Sequence, residues 1–189
     1  MGVKYVDTDA PPSTFKIAEV IINSVKQTCE DLKVDYPAIY LEPGRSIIST
    51  AGVTLYKVGS QKQVPNGRKY IAIDGGMADN PRPSMYQAEY FAEVANKKIE
   101  TEQEVVTIGG KYCESGDIII KDISLPKLNA GDTLCVYNTG AYNYSMASNY
   151  NKTQKPAMVL VNSGNSDIII KRESLEDLIK HDVIPDRLK

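Results

Sequence analysis

Four short segments of this sequence carry side chains suited to chemistry, and in each a glycine or proline breaks the run of strand-forming residues. They are Glu42-Pro43-Gly44-Arg45, the stretch DGGMADNPRPSMY from Asp74 to Tyr86, Cys113-Glu114-Ser115-Gly116-Asp117, and Gly140-Ala141-Tyr142. Arg45 follows Gly44 and Arg82 follows Pro81, so both lie where the local backbone is set. A guanidinium fork in such a place can grip a carboxylate or phosphate through two parallel hydrogen bonds. Either arginine taken alone fits a surface turn equally well. Cys113 beside Glu114 offers a thiol and a carboxylate, the components of proton transfer. A Cys-Glu dipeptide by itself is also compatible with an inert loop thiol.

The segments need elements to position them, and the hydrophobic pattern supplies candidates. A helix is expected from Ser13 to Leu32, with Ser13 as its N-cap and an apolar stripe through Phe15, Ile17, Ala18, Ile21, Ile22, Val25 and Cys29. Cys29 reads as a core thiol. Ala38-Ile39-Tyr40-Leu41 is apolar without alternation, which predicts a strand buried on both faces. Further strands are expected at 53–58, 69–73, 104–108, 118–120, 133–137, 158–161 and 168–171. The turn Asn162-Ser-Gly-Asn-Ser166 should join the last two as a hairpin. Ser174-Leu175-Glu176-Asp177 resembles a capping box with Asp in the Glu position, opening a helix that ends before Pro185. His181, near the end of that helix, reads as a surface residue. Residues on loops at strand ends are where rigid scaffolds place binding groups, and the four segments fall there. Only one helix–strand unit precedes the β run, so residues 1–48 are expected to be a remnant of an α/β domain. Residues 49–189 are expected to close into a β-barrel or sandwich.

Composition narrows the classes. The chain has 189 residues, 42% of them hydrophobic, with a net charge of -2. It can bury a core, and it lacks the basic footprint of a nucleic-acid binder. Lysines and arginines are scattered rather than clustered, and no apolar run approaches the ~20 residues of a membrane span. With no signal-peptide pattern at its start, a soluble, cytoplasmic protein is expected. Three cysteines without CxxC spacing and a single histidine point to neither a disulfide framework nor a metal site. Twelve tyrosines are present, several bunched between 137 and 150, a pattern suited to a site or to half-buried strands.

Taken in order, the segments resemble the diaminopimelate decarboxylase family, within the alanine-racemase-like pyridoxal-phosphate enzymes. EPGR at 42–45, DGGMADNPRPSMY at 74–86, CESGD at 113–117 and TGAYNYSMASNYN at 139–151 carry the resemblance. It extends over nearly the whole chain, from Gly2 to Pro185. It implies a (β/α)8 barrel that holds pyridoxal 5'-phosphate, followed by a C-terminal β domain that completes the site in a homodimer. By that resemblance Glu42 faces the cofactor's pyridine nitrogen, Gly44 and Arg45 help bind its phosphate, and Tyr142 lies against cofactor and substrate. Arg45 also reaches a substrate carboxylate. Arg82 and Tyr86 take another carboxylate, Glu114 the distal amino group, and Cys113 delivers a proton after decarboxylation. The implied reaction converts meso-2,6-diaminopimelate to L-lysine and carbon dioxide, the last step of lysine biosynthesis.

In the family the lysine that holds the cofactor covalently, a histidine that stacks on its ring and a glycine-rich phosphate loop lie upstream of the residue matching Tyr5. The chain as given is therefore expected to be a C-terminal fragment, inactive alone. Two alternatives stay open: a catalytically dead dimerisation or binding module, and a fragment of an ornithine- or arginine-type decarboxylase.

Overall fold

A computed structural model describes residues 1–98 and 102–189. Among them, a six-stranded sheet carries the core. Its strands are β1 (Thr54–Gln63), β2 (Lys69–Ile73), β3 (Ala92–Val94), β4 (Gln103–Gly109), β5 (Ile118–Pro126) and β6 (Thr133–Val136), in the order β3-β6-β1-β2-β4-β5. All neighbours are antiparallel except β2 and β4, which run parallel. The edge strands β3 and β5 approach each other, so the sheet curls into a nearly closed barrel. The mainly β class read from the sequence is the class observed.

Alternation drives the curl. Tyr56 and Val58 of β1 and Ile71 and Ile73 of β2 point inward, with exposed or partly exposed residues between them. They meet Val106, Ile108, Leu134 and Val136 in one apolar cluster. The expected strands at 69–73, 104–108 and 133–137 match β2, β4 and β6 to within a residue, while β1 and β5 run longer than expected. The three-residue β3 is too short to show a period, and no strand was expected there.

Outside the barrel lies the helix α1 (Thr14–Leu32). Ser13 caps it by accepting from the Lys16 N–H, and it ends where Lys33 turns left-handed at φ 56°. Cys29 is buried as expected, and Ile17, Ala18, Ile21 and Val25 are half-buried, but Phe15 is 89% exposed. Part of the apolar stripe is thus open. The expected buried strand at Ala38–Leu41 does not form. These residues have no strand pairing, and Tyr40 is 89% exposed. A strand exists by pairing with another, and no strand among the described residues lies beside this one. The apolar run is therefore exposed rather than buried.

The hairpin of β7 (Met158–Asn162) and β8 (Asn165–Ile170) stands apart as a two-stranded sheet, its turn made by Ser163 and Gly164 at positive φ. Glu173 ties its base to the preceding loop by accepting from the Lys155 N–H at 2.8 Å and from Asn149 Nδ2. The helix α4 (Leu175–Ile179) has the full capping box, with Ser174 and Asp177 each accepting from the other's N–H. No helix of the described residues is long and apolar enough to cross a membrane.

Leu134 is fully enclosed at the centre of the barrel. Leu134→Ala should lower the unfolding free energy by about 2–5 kcal/mol, the cost of lost burial plus the cavity left behind. Urea unfolding of the two proteins measures the difference, and a loss below about 1 kcal/mol would place this residue outside the core.

Candidate functional site

The four segments converge on one end of the barrel. The carboxylate of Asp117 joins two of them. Its side chain accepts from the Met77 N–H at 2.7 Å and from the Tyr112 N–H at 2.8 Å, while the Lys111 N–H donates to the Gly75 carbonyl. A Cβ on Gly110 would fall 2.1 Å from this carboxylate, so only glycine admits it there. Asp79 turns inward beside it, accepting from the Gly76 N–H at 2.9 Å and from the Tyr56 hydroxyl. Burial raises both carboxyls above the ordinary Asp range, against the pull of their hydrogen bonds, and pushes Tyr56 well up.

Residues 82–86, expected as loop, form a one-turn helix, α3 (Arg82–Tyr86). The prolines at 81 and 83 pre-set φ for a first turn and need no N–H donor there. Ser84 donates to the Gly116 carbonyl at 2.7 Å, so α3 is fastened to the Cys113–Asp117 loop. The outcome is a fixed position for Arg82. Its guanidinium donates to the Tyr90 hydroxyl at 3.1 Å and lies 4.9, 5.9 and 5.8 Å from the ring centres of Tyr5, Tyr90 and Tyr142. Half-buried Arg82 forms no ion pair with any acidic side chain of the described residues.

The Glu42–Arg45 segment joins the same end through Ser49. Gly44 opens a one-turn helix, α2 (Gly44–Ile48), and buried Ser49 follows it. The Ser49 hydroxyl lies 3.1 Å from the Tyr5 hydroxyl and donates to the Asn138 carbonyl at 3.1 Å. The Gly140 N–H donates to the Ser49 carbonyl, and a Cβ on Gly140 would sit 2.0 Å from the Ile48 carbonyl oxygen. The 139–142 loop therefore lies directly on the end of α2, and Tyr142 follows at φ 63°, its ring 46% exposed. Arg45 is half-buried and its Nε–H reaches the Met1 carbonyl at 3.4 Å, again with no acidic partner among the described residues. Glu42 is exposed in the turn before α2.

Cys113 and Glu114 form a second group. Both are exposed. Glu114 accepts from the Tyr150 hydroxyl at 3.3 Å, and Tyr150 packs edge-on against Tyr112 at 5.6 Å. The Gly116 N–H, then the Ser115 and Tyr150 hydroxyls, hold the Glu114 carboxyl below its usual range, so it is an anion near neutral pH. Among the described residues, no hydrogen bond or ion pair joins Cys113 or Glu114 to Arg45, Arg82 or Tyr142. Tyr86 is 61% exposed and stands at the end of α3. A groove of about 750 Å³ between β5 and residues 83–91 holds none of the sequence-predicted site residues.

The segment from residue 15 to 140, more than half of the chain, matches the pyridoxal-dependent decarboxylase C-terminal sheet domain. The chain belongs to the pyridoxal-dependent decarboxylase family. It is 48% identical to a diaminopimelate decarboxylase of Synechocystis over all of this chain and 40% of that protein. It is 49% identical to one of Bacillus subtilis over 96% of this chain and 42% of that one. A crystal structure of the Methanocaldococcus jannaschii diaminopimelate decarboxylase with L-lysine superposes with a TM-score of 0.91 at 40% identity, over all of this chain and 42% of that one. The chain thus spans about 40% of the length of these decarboxylases.

Sequence reasoning missed Tyr90, which lies outside the four segments, and did not single out Asp117 or Tyr150 within them. Nothing in the local pattern around Tyr90 marks it, because its role depends on meeting Arg82 in space.

Asp117 gives the site a pH signature. Its folded carboxyl is raised by burial, so this residue's contribution to stability is complete below the free Asp value and is lost as pH rises through the folded value. Asp117→Asn removes that dependence and leaves one backbone N–H facing an amide donor, at a cost of about 1–3 kcal/mol. The stability gap between native and variant should be widest in acid and narrow with rising pH. Urea unfolding at a series of pH values reads it, and a gap that widens with pH would contradict the burial argument.

Proposed function

We propose that this chain is the substrate-side, C-terminal part of a pyridoxal-phosphate-dependent diaminopimelate decarboxylase, which releases carbon dioxide from meso-diaminopimelate to leave L-lysine. The observation that carries this reading is Arg82: a half-buried guanidinium, held by a tyrosine hydroxyl, with no carboxylate partner among the described residues. A cation in that state is suited to a carboxylate brought by a ligand. Arg45 stands ready in the same way. The similarity to diaminopimelate decarboxylases along the whole chain supports the same substrate.

The residues present suit pyridoxal phosphate. Glu42 is open to solvent, a Cβ on Gly44 would meet nothing within 4 Å, Arg45 has no acidic partner among the described residues, and Tyr142 offers a half-open ring. When bound, the cofactor supplies an electron sink for the pair released with carbon dioxide. In this reading Glu42 keeps the pyridine nitrogen protonated, and Gly44 and Arg45 hold the phosphate. Arg45 also contacts a substrate carboxylate, and Arg82 with Tyr86 binds the other. Glu114, ionised, accepts the distal ammonium, and the Cys113 thiol gives its proton to the carbon that has lost its carboxylate. In this reading the enzyme is a homodimer, and each copy lends its exposed Cys113 and Glu114 to the other's site. We assign residues 1–48 to the cofactor barrel and 49–189 to the β domain of a cytoplasmic enzyme.

The test joins this chain to the remaining part of the Bacillus subtilis relative in place of the matching segment. The fusion should release carbon dioxide from meso-diaminopimelate, and the 189-residue chain alone should not. A fusion that binds cofactor yet leaves meso-diaminopimelate intact would overturn the reading. Within the fusion, Cys113→Ala should lower kcat by about 10²-fold or more with little change in KM, as loss of a proton donor does. Arg82→Ala should lower kcat/KM with a rise in KM, because a substrate carboxylate loses its partner. Steady-state kinetics separates the two, and wild-type kcat in Cys113→Ala would remove the donor role.

A further inference from the structure

Arg82 is flexible by nature, yet here its guanidinium sits among three tyrosines drawn from distant parts of the chain. Of these, Tyr90 is the buried one, and its hydroxyl accepts a hydrogen bond from an Arg82 Nη–H at 3.1 Å. Tyr90 is itself held from two sides. Its ring packs edge-on against Tyr5, with centres 5.3 Å apart and planes at 85°. Its hydroxyl donates to the Asn143 side-chain carbonyl at 3.4 Å, and Asn143 is buried too. The polarity of this chain of bonds is set by chemistry. A guanidinium has donors only, so the Tyr90 oxygen must accept from Arg82, and its proton is then free only for Asn143. Burial raises the Tyr90 hydroxyl above the ordinary tyrosine range, so it is neutral and keeps that proton.

The backbone around the two partners is also anchored. The Tyr137 N–H donates to the Phe91 carbonyl next to Tyr90, and the Met146 N–H donates to the Asn143 carbonyl. One end of the guanidinium is consequently spent on a fixed, buried acceptor. Among the described residues no acidic side chain pairs with the rest of the fork, which suits it to a ligand carboxylate.

We propose that Tyr90, backed by Asn143, is a positioning residue that aims Arg82 at a substrate carboxylate and so sets the preference for a dicarboxylic amino acid. This rests on the reading of Arg82 as a carboxylate receptor. Tyr90 touches no substrate; it acts through Arg82 by removing the rotamers in which the fork points elsewhere. The ring supplies packing and the hydroxyl supplies aim, so the two are separable by Tyr90→Phe.

The experiment follows the Arg82 side-chain Nε–Hε signal by nuclear magnetic resonance in the 189-residue chain, with meso-diaminopimelate as probe. In the native chain the signal should exchange slowly with solvent and shift on titration. Tyr90→Phe should speed the exchange about ten-fold and weaken the probe's apparent affinity by a similar factor, with the fold unchanged by amide spectra. Asn143→Leu should act in the same direction. Added to Arg82→Gln, Tyr90→Phe should weaken binding no further. An unchanged Arg82 signal in Tyr90→Phe would overturn the positioning role, as would a further loss in the double variant, because Tyr90 would then contact the ligand itself. If the native Arg82 signal is slow to exchange but does not move with the probe, the carboxylate-receptor reading fails, and the inference falls with it.

Discussion

The carboxylate of Asp117, lodged between two loops and bonded to the backbone N–H of Met77 and of Tyr112, holds the site end of the barrel in one arrangement. The loop after β2 and the loop between β4 and β5 are separate in sequence and have no strand in common. Without a shared acceptor these partly buried N–H groups would be left unpaired, which is costly. One carboxylate satisfies both, and glycine at 110 gives it room. The ladder extends outward from it: Ser84 to Gly116 fastens α3, and α3 in turn presents Arg82.

A second clasp works without charge. Ser49, fully buried, bridges Tyr5 and the Asn138 carbonyl, and Gly140 lies so close to the end of α2 that no side chain fits. Between them the two clasps bring Tyr5, Tyr90 and Tyr142 around the Arg82 guanidinium. The core of the nearly closed barrel beneath is apolar. A rigid scaffold with its functional groups on tied loops is the arrangement that binding and catalysis favour.

The outer surface differs from the rim. Phe15 of α1, Tyr40 of the 34–43 segment and Val161 and Ile168 of the β7–β8 hairpin all stand open. The chain also spans only about 40% of the length of its decarboxylase relatives. A two-stranded hairpin has little stability of its own, and here Glu173 fastens its base to the body.

Much was legible without coordinates, for identifiable reasons. Alternating residues at 69–73 and the capping box at Ser174 act over a few residues, so local sequence contains all the information they need. The four chemical segments were visible because glycine and proline mark strand ends, and their order identified the family. Other features depended on what meets what. The apolar run at Ala38–Leu41 called for a strand, but a strand requires a neighbour, and none of the described residues provides one. Residues 82–86 passed for loop until the docking of Ser84 on Gly116 made a helical turn of them. Tyr90 carries no signature, since its place in the site comes from a hydroxyl that finds Arg82 only after the barrel has closed. The sequence determined which side chains could do chemistry, whereas tertiary structure decided which of them share an environment, because burial, ion pairing and hydrogen-bond direction belong to neighbours in space and not in the chain.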